Sequence, residues 1–132
     1  MSLSTMSLTG QCVLLVEDEY LIAMELTHEL KDKGAQVIVP VASVNEALQL
    51  IESTDRIDSA VLDINLNGEM IFPVVDALME RDVPFLFLTG YDQVAIPAHY
   101  TDAAHYMKPV SLTEIMKTLT QIALKAGCVQ SC

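Results

Sequence analysis

A chain of 132 residues that is 52% hydrophobic can bury one compact core and is too short for two. Eighteen acidic residues against seven Lys and Arg give a formal charge of −11, which argues against direct nucleic-acid binding because such a surface repels a phosphate backbone. No apolar run approaches the ~20 residues that span a bilayer, and residues 1–5 lack the basic and apolar stretches of a secretory leader, so a cytoplasmic protein away from membranes is expected.

Residues 1–10 carry no periodicity and are expected to form a disordered tail. The first strand is Cys12–Val16, followed at once by Glu17, Asp18 and Glu19. Ile22, Leu26 and Leu30 mark a first helix that Gly34 can terminate. Residues 37–41 form a second apolar run. Ser43-Val-Asn-Glu46 is a capping box opening a second helix on Val44, Ala47, Leu48 and Ile51. Residues 60–62 form a third run ending in Asp63, and Phe72, Val75, Leu78 and Met79 mark a third helix. A fourth run, 85–88, ends in Thr89-Gly90. From Tyr91 to Ala103 there is no good apolar stripe, so the fourth helix is expected to be short or poorly ordered. A weaker run at Ala104–Met107 leads to Lys108-Pro109. A second capping box, Ser111-Leu-Thr-Glu114, then opens a last helix on Leu112, Ile115, Met116, Leu119, Ile122, Ala123 and Ala126. The domain should therefore span 11–126, with 127–132 a second tail. The apolar helix stripes, methionines included, are expected in the core.

Unbroken runs of four or five apolar residues suit strands buried on both faces, and their alternation with helices implies a parallel sheet with right-handed crossovers. Cys12, Cys128 and Cys132 form no C-x-x-C pair and support neither a disulfide framework nor a zinc site; one buried strand thiol and two tail thiols are expected.

In an open parallel sheet, ligands bind beyond the carboxyl ends of the strands. Here those ends carry Glu17 and Asp18, Asp63, Thr89 and Lys108. With strands in the order 2-1-3-4-5 the acids converge. Each like-charged pair about 4 Å apart costs on the order of 4 kcal/mol at an effective dielectric near 20, so the cluster must take a proton, a cation or a metal. An all-oxygen set suits a hard divalent ion.

The acid pair Glu17-Asp18, Asp63, Thr89 and Lys108-Pro109, each following an apolar strand in this order, resemble the response-regulator receiver family over roughly residues 11–126. The stretch Pro84-Phe85-Leu86-Phe87-Leu88-Thr89-Gly90-Tyr91 looks like the Pro-Phe-x-Phe-x-Thr-Gly-Tyr signature of an α-proteobacterial group of single-domain receivers associated with HWE-class histidine kinases. The resemblance implies a flavodoxin-like (βα)5 three-layer α/β sandwich. It implies a two-component phosphorelay protein that accepts a phosphoryl group from a histidine kinase on Asp63, with Mg²⁺ or Mn²⁺. It then signals by conformational change, shuttles the group onward to a downstream partner, or acts as a phosphate sink.

The same resemblance makes Asp18, Asp63 and the backbone carbonyl of Asn65 metal ligands, with Glu17 acting mostly through water. Lys108 and Thr89 would bind phosphoryl oxygens, and the Lys108-Pro109 bond would be cis. The chain would be a signalling phosphoacceptor rather than an enzyme, apart from slow self-dephosphorylation, and a monomer or weak dimer. Kinase contact is expected near the first helix and the loops around Asp63.

One departure concerns switching. The family's usual aromatic three residues before the Lys is replaced by His105, and Tyr106 falls on the opposite strand face. Tyr91, or the loop after it, is the expected readout alongside Thr89. Glu19 reads as favouring the first helix's N-terminus, and His28, His99 and His105 as surface or packing residues. The rival from another class is a receiver-like adaptor that binds partners without phosphorylation. A haloacid-dehalogenase-type phosphatase would need a second Asp where Asn65 stands, and a flavodoxin-like flavin protein would not tolerate an acidic first loop.

Overall fold

The computed structural model describes residues 7–90 and 103–130. Five parallel strands, β1 (Cys12–Val16), β2 (Gln36–Val41), β3 (Ser59–Asp63), β6 (Phe85–Thr89) and β7 (Ala104–Met107), form one sheet in the order β2-β1-β3-β6-β7. Counting only these five, that is the expected 2-1-3-4-5 order. Helices α1 (Tyr20–Asp32), α2 (Val44–Ser53), α3 (Phe72–Glu80) and α4 (Leu112–Gln130) connect or follow them. The region 91–102, on which the expected fourth helix and Tyr91 fall, lies outside the described residues.

The central strands are buried on both faces. Val13 to Val16 on β1, all of β3, and Leu86 to Leu88 on β6 are covered. One face packs Leu14, Val16, Leu62 and Phe87 against α2 and α3 through Ala47, Ile51, Val75 and Leu78. The other packs Leu15, Val61 and Leu88 with Leu26 and Leu30 of α1 and Ile115, Met116 and Leu119 of α4. The edge strands depart from the expectation of two buried faces. On β2, Val37 and Ile38 are half-covered and Pro40 is exposed, and on β7 half-buried and exposed residues alternate. Each has a single hydrogen-bonded neighbour. Pro40 is tolerated because the register slips beside it, from Leu14↔Ile38 to Val16↔Val41, on an edge strand that need not donate there.

Local chemistry sets the helix ends. Gly34, at φ +95, closes α1 with two bonds, Gly34 N–H to the Lys31 carbonyl and Ala35 N–H to the Leu30 carbonyl. The Ser43 and Ser111 hydroxyls accept from the Glu46 and Glu114 N–H groups, as the capping boxes require.

Two boundaries and the burial of two residues differ from expectation. Leu8 is buried in the α1/α4-side core and its N–H donates to the Lys33 carbonyl, so ordered structure begins before residue 11. Helix α4 continues to Gln130, past Ala126 and into the stretch expected to be tail. Met79 is 45% exposed rather than core, because Val74 shares the inner face of α3 with Val75 and Leu78. Cys12 is only half-buried, since it opens its strand.

Sequence patterning also missed a hairpin. After Asp63 the chain forms β4 (Asn65–Leu66) and β5 (Glu69–Met70), paired antiparallel around Asn67-Gly68. Both turn residues have positive φ, 50° and 92°. Asn-Gly is the dipeptide that favours this two-residue turn.

Candidate functional site

Strand direction alone brings the chemistry together. β1 and β3 are neighbours, with Val16 opposite Leu62, so Glu17, Asp18 and Asp63 leave the sheet at the same edge. Oxygens of these three carboxylates lie within 4.8 Å of one another. β6 and β7 run alongside, and the Lys108 N–H donates to the Thr89 carbonyl at 2.8 Å, which fixes where the Lys side chain starts. Its ammonium reaches across the sheet edge to Asp63 Oδ2 at 3.0 Å and Glu17 Oε2 at 3.0 Å. The Lys108-Pro109 peptide is cis.

The carboxylates are further held by backbone donors. Glu19 N–H donates to Glu17 Oε2, Asn65 N–H to Asp63 Oδ1, and Asn67 N–H to Asp18 Oδ2. The hairpin therefore belongs to the site: its turn ties down Asp18, and Asn65 Oδ1 accepts from Gly68 N–H at 2.8 Å to brace that turn. A cavity of about 630 Å³ opens above, lined by Asp18, Glu19, Asp63, Asn65, Lys108 and Gly90 among others.

Burial and charge work against each other here. Glu17 and Asp63 are 2% and 3% exposed. Burial pushes the Glu17 carboxyl up to about 7; the Asp63 charge adds to this, while the Glu19 N–H and Lys108 oppose it. Asp63 is also raised, by burial first, with Lys108 opposing. Burial alone would lower Lys108, but hydrogen bonds to Glu17 and Asp63 outweigh this and push it above the ordinary lysine range. One ammonium thus serves several acids, and it does not satisfy them all. Among the described residues, Glu17 Oε1 is buried with no hydrogen-bond partner. An unpartnered carboxylate oxygen beside two more acids, all hard oxygen donors, is a seat that fits a small divalent cation.

Of the other expected site residues, Asn65 lines the cavity and Thr89 ends β6 beside it, half-buried, with Gly90 rather than Thr89 contributing to the lining. His105 lies on the opposite face of β7 from Tyr106. Its ring stacks on Phe87 at 5.8 Å between centroids, while the Tyr106 hydroxyl pairs with Thr118 of α4. His28 is exposed on α1, and His99 and Tyr91 lie outside the described residues. Sequence reasoning missed Glu19. It sits at the N-cap position of α1 but makes no side-chain cap bond; instead its Oε1 accepts from Lys108 at 3.2 Å. It also missed the turn at Asn67-Gly68, which the Asn-Gly pair could have signalled.

A parallel 2-1-3-4-5 sheet with three acids and a lysine at its carboxyl edge defines a known class, and the chain belongs to the response regulator receiver domain family, whose model matches residues 13–120. The chain is similar to the sensory transduction protein LytT of Bacillus subtilis, 33% identical over 115 residues that cover 81% of this chain and 46% of that protein. It also resembles the phyllosphere-induced regulator PhyR of Methylorubrum extorquens, 27% identical over 112 residues covering 83% and 42%. The chain thus spans about half the length of these curated relatives. Among solved structures, SdrG from Sphingomonas melonis Fr1 superposes with a TM-score of 0.75 at 36% identity, covering 86% of this chain and 96% of that one. The BeF3-activated conformation of SdrG, from Pseudomonas melonis Fr1, gives 0.69 at 35% identity, covering 92% and 99%. No helix among the described residues is long and apolar enough to cross a membrane.

Proposed function

We propose that this receiver domain is the phosphoacceptor of a two-component phosphorelay, taking a phosphoryl group from a histidine kinase onto Asp63. The observation that carries the reading is the shared ammonium. Lys108 bridges the carboxylates of Asp63 and Glu17 while Asp18 stands within 4.8 Å, so the acceptor oxygen has a cation on one side and a cation seat on the other. In the transfer, an Asp63 oxygen forms a bond to phosphorus as the bond from phosphorus to the donor's imidazole nitrogen breaks, and that nitrogen keeps the electron pair. Charge gathers on the three phosphoryl oxygens. Lys108 lies 3.0 Å from Asp63 and would donate to one of these oxygens, and the Thr89 hydroxyl would donate to another.

Glu17, Asp18, Asp63 and the Asn65 carbonyl would hold Mg²⁺, with Mn²⁺ as a substitute, and the ion would neutralise charge on the transferred group. The likeness to SdrG, a relative with a BeF3-activated conformation, supports a phosphoryl-responsive site. HWE-class kinases are the proposed donors, the cytoplasm the proposed compartment, and Thr89, His105 and Tyr91 the proposed switch residues. Incubation with acetyl phosphate and Mg²⁺, read by intact mass, tests this: one phosphoryl group should add to the wild type and none to Asp63→Asn or to protein in excess chelator. Unchanged labelling of Asp63→Asn contradicts it.

A further inference from the structure

Resting on that reading, we propose that Glu19 is a positioning residue, a displaceable latch that occupies one donor of Lys108 until a phosphoryl oxygen takes its place. An ammonium has three N–H donors. Here it has three carboxylate partners: Glu17 at 3.0 Å, Asp63 at 3.0 Å and Glu19 at 3.2 Å. Lys108 is therefore saturated, and an incoming phosphoryl oxygen must evict one of them.

The three are not equally held. The Glu17 side chain is 0% exposed and its engaged oxygen also accepts from the Glu19 N–H; the Asp63 side chain is 4% exposed and is tied through its other oxygen to the Asn65 N–H. Glu19 is 51% exposed on its side chain and makes no cap bond to α1, so leaving Lys108 returns its carboxylate to water at little cost. It also lines the cavity above Asp63, where its negative charge faces any phosphoryl donor. Both effects act in one direction: Glu19 slows entry of the phosphoryl group and holds Lys108 in place while the site is empty.

The test compares wild type, Glu19→Gln and Glu19→Asp in the rate of acyl phosphate formation from acetyl phosphate, at saturating Mg²⁺ and subsaturating donor, in low and high salt. Removing one partly exposed charge should speed Glu19→Gln by roughly three- to tenfold at low salt. The advantage should shrink when salt screens the charge, and Glu19→Asp should stay within about twofold of wild type because the charge is kept. Equal or slower labelling of Glu19→Gln, or a gain that salt leaves untouched, overturns the latch while leaving Asp63 as acceptor. A wild type that takes no label under any condition overturns the phosphoacceptor reading itself.

Discussion

β3 and β7 each deliver one charged group to the site, and they do so from opposite mechanical situations. β3 is the middle strand, all five residues buried, paired with β1 on one side and β6 on the other. Asp63 at its tip pairs with Leu88 of β6 and directly follows Leu62, which pairs with Val16 of β1. β7 is an edge strand of four residues with one neighbour and half of its side chains in water, and Lys108 follows it directly. The proposed acceptor is anchored in the core, whereas the ammonium that would respond to its phosphorylation follows an edge strand with one hydrogen-bonded neighbour. Motion with phosphorylation should then concentrate at β7 and Lys108, since local opening follows low burial and few shared hydrogen bonds.

The widest separation between the strands should appear in core truncations. Leu62→Ala in β3 removes a fully buried side chain and should cost about 2–5 kcal/mol in denaturant unfolding. Met107→Ala in β7, where the side chain is 56% exposed, should stay within about 0.5 kcal/mol. Equal losses would erase the contrast.

A smaller effect tests the charge balance at the tips. The Glu17 carboxyl sits at about 7 in the fold against 4.5 when unperturbed, so the folded state binds this proton more tightly than the unfolded one. Its stabilising contribution is complete below about 4.5 and is lost as pH rises through about 7. The raised Asp63 acts in the same sense. Metal-free protein should therefore lose a few degrees of Tm between about pH 5 and about pH 8. Glu17→Gln should flatten most of that slope, and Mg²⁺ should raise the Tm at the alkaline end by binding the folded state. A metal-free Tm that climbs over this window would contradict the assignment of a buried, cation-starved acid.

The smallest effect concerns what does restrain β7. Tyr106 hydrogen-bonds Thr118 of α4, so Tyr106→Phe should cost about 0.5–1.5 kcal/mol. It should also raise amide hydrogen exchange in β7 above that in β3. Equal exchange in both strands would show that the edge is held by something else.

This asymmetry also explains what could be read from the sequence. Continuous apolar runs in β1, β3 and β6 report burial on two faces, and with strands parallel the residues at the ends of those runs and after the weaker β7 run fall at one edge, so Asp18, Asp63 and Lys108 were legible together. Edge strands break that rule: residues 37–41 are as apolar as the core runs, but only strand order reveals that Pro40 faces solvent. Leu8 was hidden because a single apolar residue in a polar stretch has no period, and its burial depends on a contact with the end of α1. Glu19 was hidden for a similar reason. Its local position speaks of a helix terminus, while its partner is 89 residues away. The Asn67-Gly68 hairpin was readable in principle from its turn chemistry, yet two-residue strands carry too little periodicity to draw attention.

The most direct measurement of the central claim is to phosphorylate the protein from a histidine-phosphorylated kinase domain, reduce the acyl phosphate with borohydride, and map the product by peptide mass spectrometry. The account predicts homoserine at position 63 and at no other acid. Reduction at Asp18 or Glu17, or stable phosphate found instead on His28 or His105, would contradict it.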